Sequence, residues 1–500
     1  MSKSIFLKGL SFSYLRQVTT LLTGIISVPL MLHYFGATLF GIWALILGLA
    51  GYLNNISFGI PSAMSTLVAK TANQNEKYKI LQKSTLILSA IVFALLFAFL
   101  LSIYIDTNWI ITLLGNIANQ YVSVTKQIFI LFVIITLLKI PLNLYIQFFV
   151  GMNLIYIFEI YQTLSIFFNF LVLLVVVYLK LDIYYFAFLT LGLQILLNMV
   201  SVIHVMIKFR YLKISVSYED KILNKDIIKS GFAFFQVGIA VSVVWSTDNL
   251  VINHFLSPEF ITPYAIAFKM FTYIFIFSAM INGVVGPIYG NAFSEGNFEK
   301  INRYSSSILK VLPVIGGFVW FSLIFFAKDV IYLWTGTEKA FGGYLLIFAL
   351  GLYGFILSYV NTFATIIYSL NLANKVLLII WGEAVLNFIL SIILVKYFGI
   401  GGVALATALA AFFTGFIFLS RYIEKLTDKE ISFNYDFNKK HFFILVMPSV
   451  LISMFSVQIN IFWFKLILFI VLSFIYIYFT WKFVEQADKQ IIINILKRKV

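Results

Sequence analysis

Six charged side chains stand inside stretches of sequence otherwise suited to hydrocarbon: Arg16, Lys139, Glu159, Asp248, Lys269 and Glu383. A charge in such a setting is costly to desolvate, so residues of this kind mark ligand sites, ion paths or paired counter-charges. Arg16 lies one to two turns into its apolar segment. It either snorkels to the headgroups or faces a cavity as a cation for an anionic ligand. Lys139, two residues before Pro141, is too deep for easy snorkelling, and a cavity-facing role is favoured. Asp248 lies ten residues before Pro258 and Lys269 eleven after it, which sets them at similar depth on antiparallel neighbours. They form a structural salt bridge, or Asp248 is a protonatable carboxylate that responds to a cation that comes and goes. Both hold if the pair breaks in one state of a cycle. Glu159 and Glu383 sit five to eight residues inside their segments, near one membrane boundary. There a solvated carboxylate at a helix N-terminus is the plain expectation, and ion coupling the sharper one.

Other chemistries are missing. The chain has no cysteine, which removes disulfides, thiolate metal sites and cysteine nucleophiles together. Its four histidines (His33, His204, His254 and His441) share no metal-ligand spacing, and His33 and His254 fall at helix ends, where an interfacial position is expected. There is no Gly-rich phosphate loop ending in Lys-Ser or Lys-Thr, no zinc helix motif and no nucleophile elbow. Nor is there an insertion long enough for a nucleotide-binding domain. Work done by such a chain draws on an ion gradient, the membrane potential or the gradient of the substrate itself.

The elements that position these charges are membrane helices. Hydrophobic residues make up 62% of the 500, charged ones 11%, against roughly 25% charged in an average globular chain. About fourteen apolar segments follow one another: 10–33, 38–58, 84–106, 121–150, 154–179, 183–206, 231–256, 261–287, 307–328, 342–370, 375–397, 401–420, 442–459 and 461–482. No strand-like alternation points to a barrel, so an all-α polytopic fold is expected. No cleavable signal peptide is visible, and the first helix is expected to act as its own insertion signal. The net charge of +15 reads as a positive-inside bias rather than as nucleic-acid binding. With the N-terminus inside, about 26 of the 35 Lys and Arg fall on cytoplasmic segments and about six outside. Both termini are then cytoplasmic.

A shift of about 221 residues superposes Lys8 on Lys229, His33 on His254, Tyr52 on Tyr273, Ser57 on Ser278 and Lys79 on Lys300. Each repeat holds six helices, an even number, so the halves enter the membrane in the same direction, the parallel-repeat plan of some secondary transporters. The expected organisation is a six-helix lobe over 1–206, a basic linker over 207–230 and a second six-helix lobe over 231–420. A cytoplasmic loop over 421–441 then leads to two added helices and a basic tail over 442–500.

Three stretches carry a family resemblance. They are Tyr34 to Trp43; Thr247 to Ile252 with Leu256 to Glu259 and Tyr264 to Lys269; and Asn387 with Tyr397 to Thr407. With the order of spans, the chain resembles Wzx-type polysaccharide and O-antigen flippases of the multidrug/oligosaccharidyl-lipid/polysaccharide exporter superfamily. Thr262-Pro263 departs from that pattern, where the second repeat often has a glycine; proline is well tolerated at a helix start. The resemblance implies movement of an undecaprenyl-pyrophosphate-linked oligosaccharide across a bacterial cytoplasmic membrane by alternating access. Arg16, Lys139 and Lys269 would then make a positive cavity for the pyrophosphate. Asp248, with Glu159 and Glu383, would couple H+ or Na+ to switching, with no other cofactor expected. Expected partners are the lipid-linked oligosaccharide, membrane lipids and glycosyltransferases or a polymerase of the same pathway. The alternatives are a multidrug or lipid II exporter of the same superfamily, and a polytopic polysaccharide polymerase. The short, poorly charged outer loops speak against the polymerase.

Overall fold

A computed structural model describes residues 3–209, 221–370, 372–456, 462–486 and 488–490. Most of the expected basic linker (210–220) and the end of the basic tail (491–500) lie outside the described residues. Every regular element among the described residues is helical. In chain order these are α1 (Lys3–Asn55), α2 (Ile60–Lys70), α3 (Gln74–Ile105), α4 (Asn108–Leu114), α5 (Asn119–Gly151), α6 (Ile155–Tyr178), α7 (Ile183–Lys208) and α8 (Lys221–Phe255). There follow α9 (Pro258–Ser294), α10 (Phe298–Thr335), α11 (Tyr344–Ser369), α12 (Leu377–Ala410), α13 (Leu419–Leu426), α14 (Asp436–His441), α15 (Met447–Ser456) and α16 (Phe462–Phe483). Two π-helical stretches, Ala411–Phe418 and Phe442–Val446, connect α12 to α13 and α14 to α15.

Among the described residues, ten helices are long and apolar enough to cross a bilayer, where the sequence shows about fourteen segments. Part of the difference has a physical source. Two of the ten stretches, Ser11–Asn55 and Leu377–Leu426, run for 45 and 50 residues, and one crossing takes about 20. Each contains one glycine off helical geometry: Gly36 in α1 (φ 81°, ψ 166°) and Gly399 in α12 (φ 56°, ψ −140°). Both end a Tyr-Phe-Gly triplet, Tyr34-Phe35-Gly36 and Tyr397-Phe398-Gly399. Only glycine adopts such positive φ values without strain, so the break is written into both triplets.

The helices form two compact units, Met1–Thr262 and Pro263–Val500. In the first, α1 packs on α6, α5 on α7 and α2 on α5, with α8 laid along α1 and α2. Small and polar residues make the α1–α8 seam, as expected where burial in lipid gives helices no hydrophobic reason to associate. A methyl group at Gly51 would collide with Ser246 Oγ. Asn55 Nδ2 donates to Gly238 O at 3.1 Å and to Ser242 Oγ at 2.6 Å, and the Tyr52 and Thr247 hydroxyls bond to each other. At the far end Thr262 Oγ1 donates to Ala37 O at 2.7 Å, beside the Gly36 break.

In the second unit α10 is the hub, packed on α11, α15 and α16. Trp320 of α10 lies directly on Gly351 of α11, with no room for a Cβ there. α16 and the segment that follows it are each pinned to α10. Asp488 accepts from Lys310 Nζ at 2.8 Å and from Ser307 Oγ at 2.5 Å, and Lys465 Nζ bonds Asp329 at 3.0 Å. Lys310 and Asp329 are about 28 Å apart along the helix, close to the thickness of a bilayer's hydrocarbon. Each ion pair therefore falls at an interface, where charge is tolerated. Between them Tyr476 donates its hydroxyl to Val314 O at 2.8 Å.

Candidate functional site

The first unit contains a polar cavity of about 300 Å³ lined from five helices and the turn after α1. Lys139 of α5 lies in its wall, half-buried, and donates from Nζ to Gln194 Oε1 of α7 at 2.8 Å. Five side-chain amides share the lining: Asn54, Asn143, Gln162, Gln194 and Asn198. Lys139 is the one charged residue in the lining, and no carboxylate is among the described lining residues.

Helical spacing explains how the sequence assembles this site. Lys139 and Asn143 are four apart on α5, Gln194 and Asn198 four apart on α7, and Tyr161 and Ser165 four apart on α6. Residues at that interval share one helix face. Three otherwise apolar helices therefore each turn a narrow polar stripe to the same space. Asn198 is held from below by its own helix, its Nδ2 donating to Gln194 O at 2.7 Å. Tyr161 brings a hydroxyl to the lining and bonds His204 Nδ1 at 3.1 Å.

Arg16 and Glu159 meet. Arg16 Nε lies 2.7 Å from Glu159 Oε2, joining α1 to α6. The arginine side chain is 35% exposed, while Glu159 as a residue is 6% exposed. Glu159 is thus not the solvated helix-end carboxylate that its position suggested; a cation from the neighbouring helix compensates it. Glu383 is half-buried on α12.

Asp248 is buried at 2% exposure on α8 in the first unit, next to Thr247 and the α1–α8 seam. Lys269 is half-buried on α9 in the second unit. His33 and His254 are exposed at helix ends. Among the described residues no three His, Cys, Asp or Glu cluster as a metal site would require. Single-residue reasoning found Lys139 but missed the amides around it, because neutral side chains in apolar helices raise no alarm alone. The signal that finds them is the four-residue spacing repeated on three helices.

Residues 235–393 match the MatE family model. A protein of Salmonella typhi named for O-antigen transport is 22% identical over 405 residues, covering 78% of this chain and 89% of that protein. A structure of the lipid II flippase MurJ in an inward closed conformation covers 94% of this chain and 98% of its own, with a TM-score of 0.73 at 18% identity. An inward-facing multidrug-resistance MATE transporter of the MOP superfamily covers 83% and 99%, with a TM-score of 0.65 at 15% identity. The chain has the all-α polytopic fold of MATE-like MOP-superfamily transporters. The homology runs to membrane transporters, a non-catalytic class.

Proposed function

We propose that this protein is a flippase that carries a lipid-linked oligosaccharide between leaflets of a bacterial cytoplasmic membrane by alternating access. The observation that carries the proposal is Lys139 set among five amides in one cavity. A cation answers a phosphate or pyrophosphate, and amides, each with donors and an acceptor, answer sugar hydroxyls in either sense. A cavity whose described lining holds a lysine and no carboxylate disfavours organic cations, which weighs against multidrug export. In this reading fourteen crossings arise when α1 and α12 each count twice, at Gly36 and Gly399, and α9 and the stretch from Phe442 to Ser456 join the ten long apolar helices. They are arranged as six, six and two, with both termini cytoplasmic. Arg16 and Lys269 serve as further cations for the substrate. Asp248, Glu159 and Glu383 couple H+ or Na+ to switching, Glu159 by exchanging Arg16 for a proton or cation.

The glycan is an O-antigen, capsule or exopolysaccharide repeat unit on undecaprenyl pyrophosphate, which the likeness to the Salmonella typhi protein supports. A second reading, export of lipid II, is favoured by the fold comparison, where the MurJ structure overlaps a larger share of the chain at a higher TM-score than the MATE transporter.

Deleting the gene in its host and following both surface glycan and the leaflet distribution of undecaprenyl-linked intermediates tests the proposal. Loss of surface polysaccharide with complete lipid-linked units held on the cytoplasmic side supports the first reading. Arrest of cell-wall synthesis with lipid II held inside supports the second. Single units that reach the surface unpolymerised point to a polymerase, and unchanged distribution of both intermediates overturns the flippase proposal.

A further inference from the structure

The second unit holds a cleft of about 540 Å³ that differs in every respect from the polar cavity. Its walls are aromatic. Phe412 stacks on Phe416 at 5.7 Å, Tyr359 meets Phe416 edge-on at 5.0 Å, and Phe355 lies 5.6 Å from Phe442. Both π-helical stretches contribute, Phe412, Phe416 and Ile417 from one and Phe442 and Phe443 from the other. A π-turn widens a helix locally and is frequent at functional sites. One flank is open, since Phe412 is 37% exposed and Phe443 69% exposed.

The mouth is charged. Arg421, Glu424 and Lys439 stand where the apolar run through Phe418 gives way to the polar segment that follows. Glu424 is engaged by its own loop, Oε1 accepting from the Phe433 N–H at 3.0 Å. Arg421 and Lys439 are exposed and form no ion pair among the described residues. Deeper in, Tyr435 lines the cleft beside Ser420, and burial pushes its phenol above the ordinary tyrosine range, so it stays a neutral hydrogen-bonding group.

We infer that this cleft binds an anionic glycerophospholipid of the surrounding bilayer. Its phosphate lies between Arg421 and Lys439, and one acyl chain lies among Phe355, Tyr359, Phe412 and Phe416. The cations sit at the height where the span ends, which is headgroup height, and the aromatic walls run from there toward hydrocarbon. Interfacial lysines and arginines attract anionic headgroups in this way. A free phosphate would use the mouth and leave the aromatic walls exposed to water. A soluble acidic segment would have no use for a flank open to lipid. The inference is independent of what the polar cavity carries.

The test uses the purified full-length protein equilibrated with equal amounts of phosphatidylglycerol and phosphatidylethanolamine, with retained lipid counted by native mass spectrometry as detergent is stripped. The wild type is expected to keep phosphatidylglycerol preferentially. Arg421→Gln with Lys439→Gln should reduce that preference by roughly tenfold. Lys425→Gln with Lys429→Gln removes the same charge from exposed positions outside the cleft and should leave it unchanged. Thermal midpoints of both double variants, measured alongside, confirm that each is folded. Equal retention of the two lipids by the wild type, or equal loss in the two double variants, overturns the inference. So does displacement of the bound lipid by millimolar inorganic phosphate.

Discussion

Each of the two units brackets a concavity of its own with apolar helices, and the two are lined in opposite ways. In the first, polar residues four apart on α5, α6 and α7 face one space and hold Lys139 among amides. In the second, the space between α11, the π-turns and α13 is walled by aromatic rings, and charge is confined to the rim. The lining follows from what each space must exclude. Amides are tolerable inside a membrane protein where they meet one another, a hydrated ligand or water. Rings are tolerable where the alternative occupant is hydrocarbon. One composition thus yields a polar cavity around a cation and an aromatic cleft with a charged rim.

The contrast can be broken most directly at Lys139. Lys139→Ala removes the one charge in the cavity lining and is expected to lower transport about tenfold to a hundredfold, the range for a charge-assisted hydrogen bond, with expression unchanged. Leaflet accumulation of the lipid-linked intermediate measures it, and normal transport by both Lys139→Ala and Arg16→Ala would remove the anion from this cavity. Packing in the second unit gives the next effect. Gly351→Val drives a side chain into Trp320, and overpacking of this kind costs about 1–3 kcal/mol. The thermal midpoint of the purified protein should fall, and Gly351→Ala should fall less.

The Arg16–Glu159 pair sharpens the comparison, because it is the ion pair in the first unit that joins α1 to α6. A double-mutant cycle with Arg16→Gln and Glu159→Gln should return a coupling of about 1 kcal/mol, below the range for fully buried pairs since the arginine is partly solvated. No coupling would mean that the pair is broken in the resting state. The smallest effect is expected at the amides. Asn143→Ala should reduce transport only several-fold, as for one neutral hydrogen bond. A loss as large as that of Lys139→Ala would show that amide recognition, not charge, dominates.

Much of the fold was legible in the chain. Among the described residues the apolar segments fall on helices save for a few residues at their ends, and the two breaks in overlong helices come at Tyr-Phe-Gly triplets that belong to the stretches carrying the family resemblance. The sites were less legible. Lys139 was visible as a deep intramembrane cation, whereas Gln194 and Asn198 were not. Glu159 was misjudged as solvated, because its depth could be read from the sequence and its neighbour could not.

Local properties were settled by the sequence alone. Hydropathy fixes membrane residence, glycine at a positive φ fixes where a helix must break, and the cost of intramembrane charge marks the residues that need a polar partner. Those depend only on a residue and its near neighbours in the chain. Tertiary structure alone decided which residues meet. Arg16 and Glu159 are 143 positions apart, and Lys139 and Gln194 are 55 apart. Whether they touch depends on which helices are neighbours and how each is rotated. In a chain that is 62% hydrophobic, lipid-facing and protein-facing sides are nearly equally apolar, so periodicity does not show which face turns inward. Small-residue seams, interhelical hydrogen bonds and ion pairs set those rotations, and they exist only once the helices have packed.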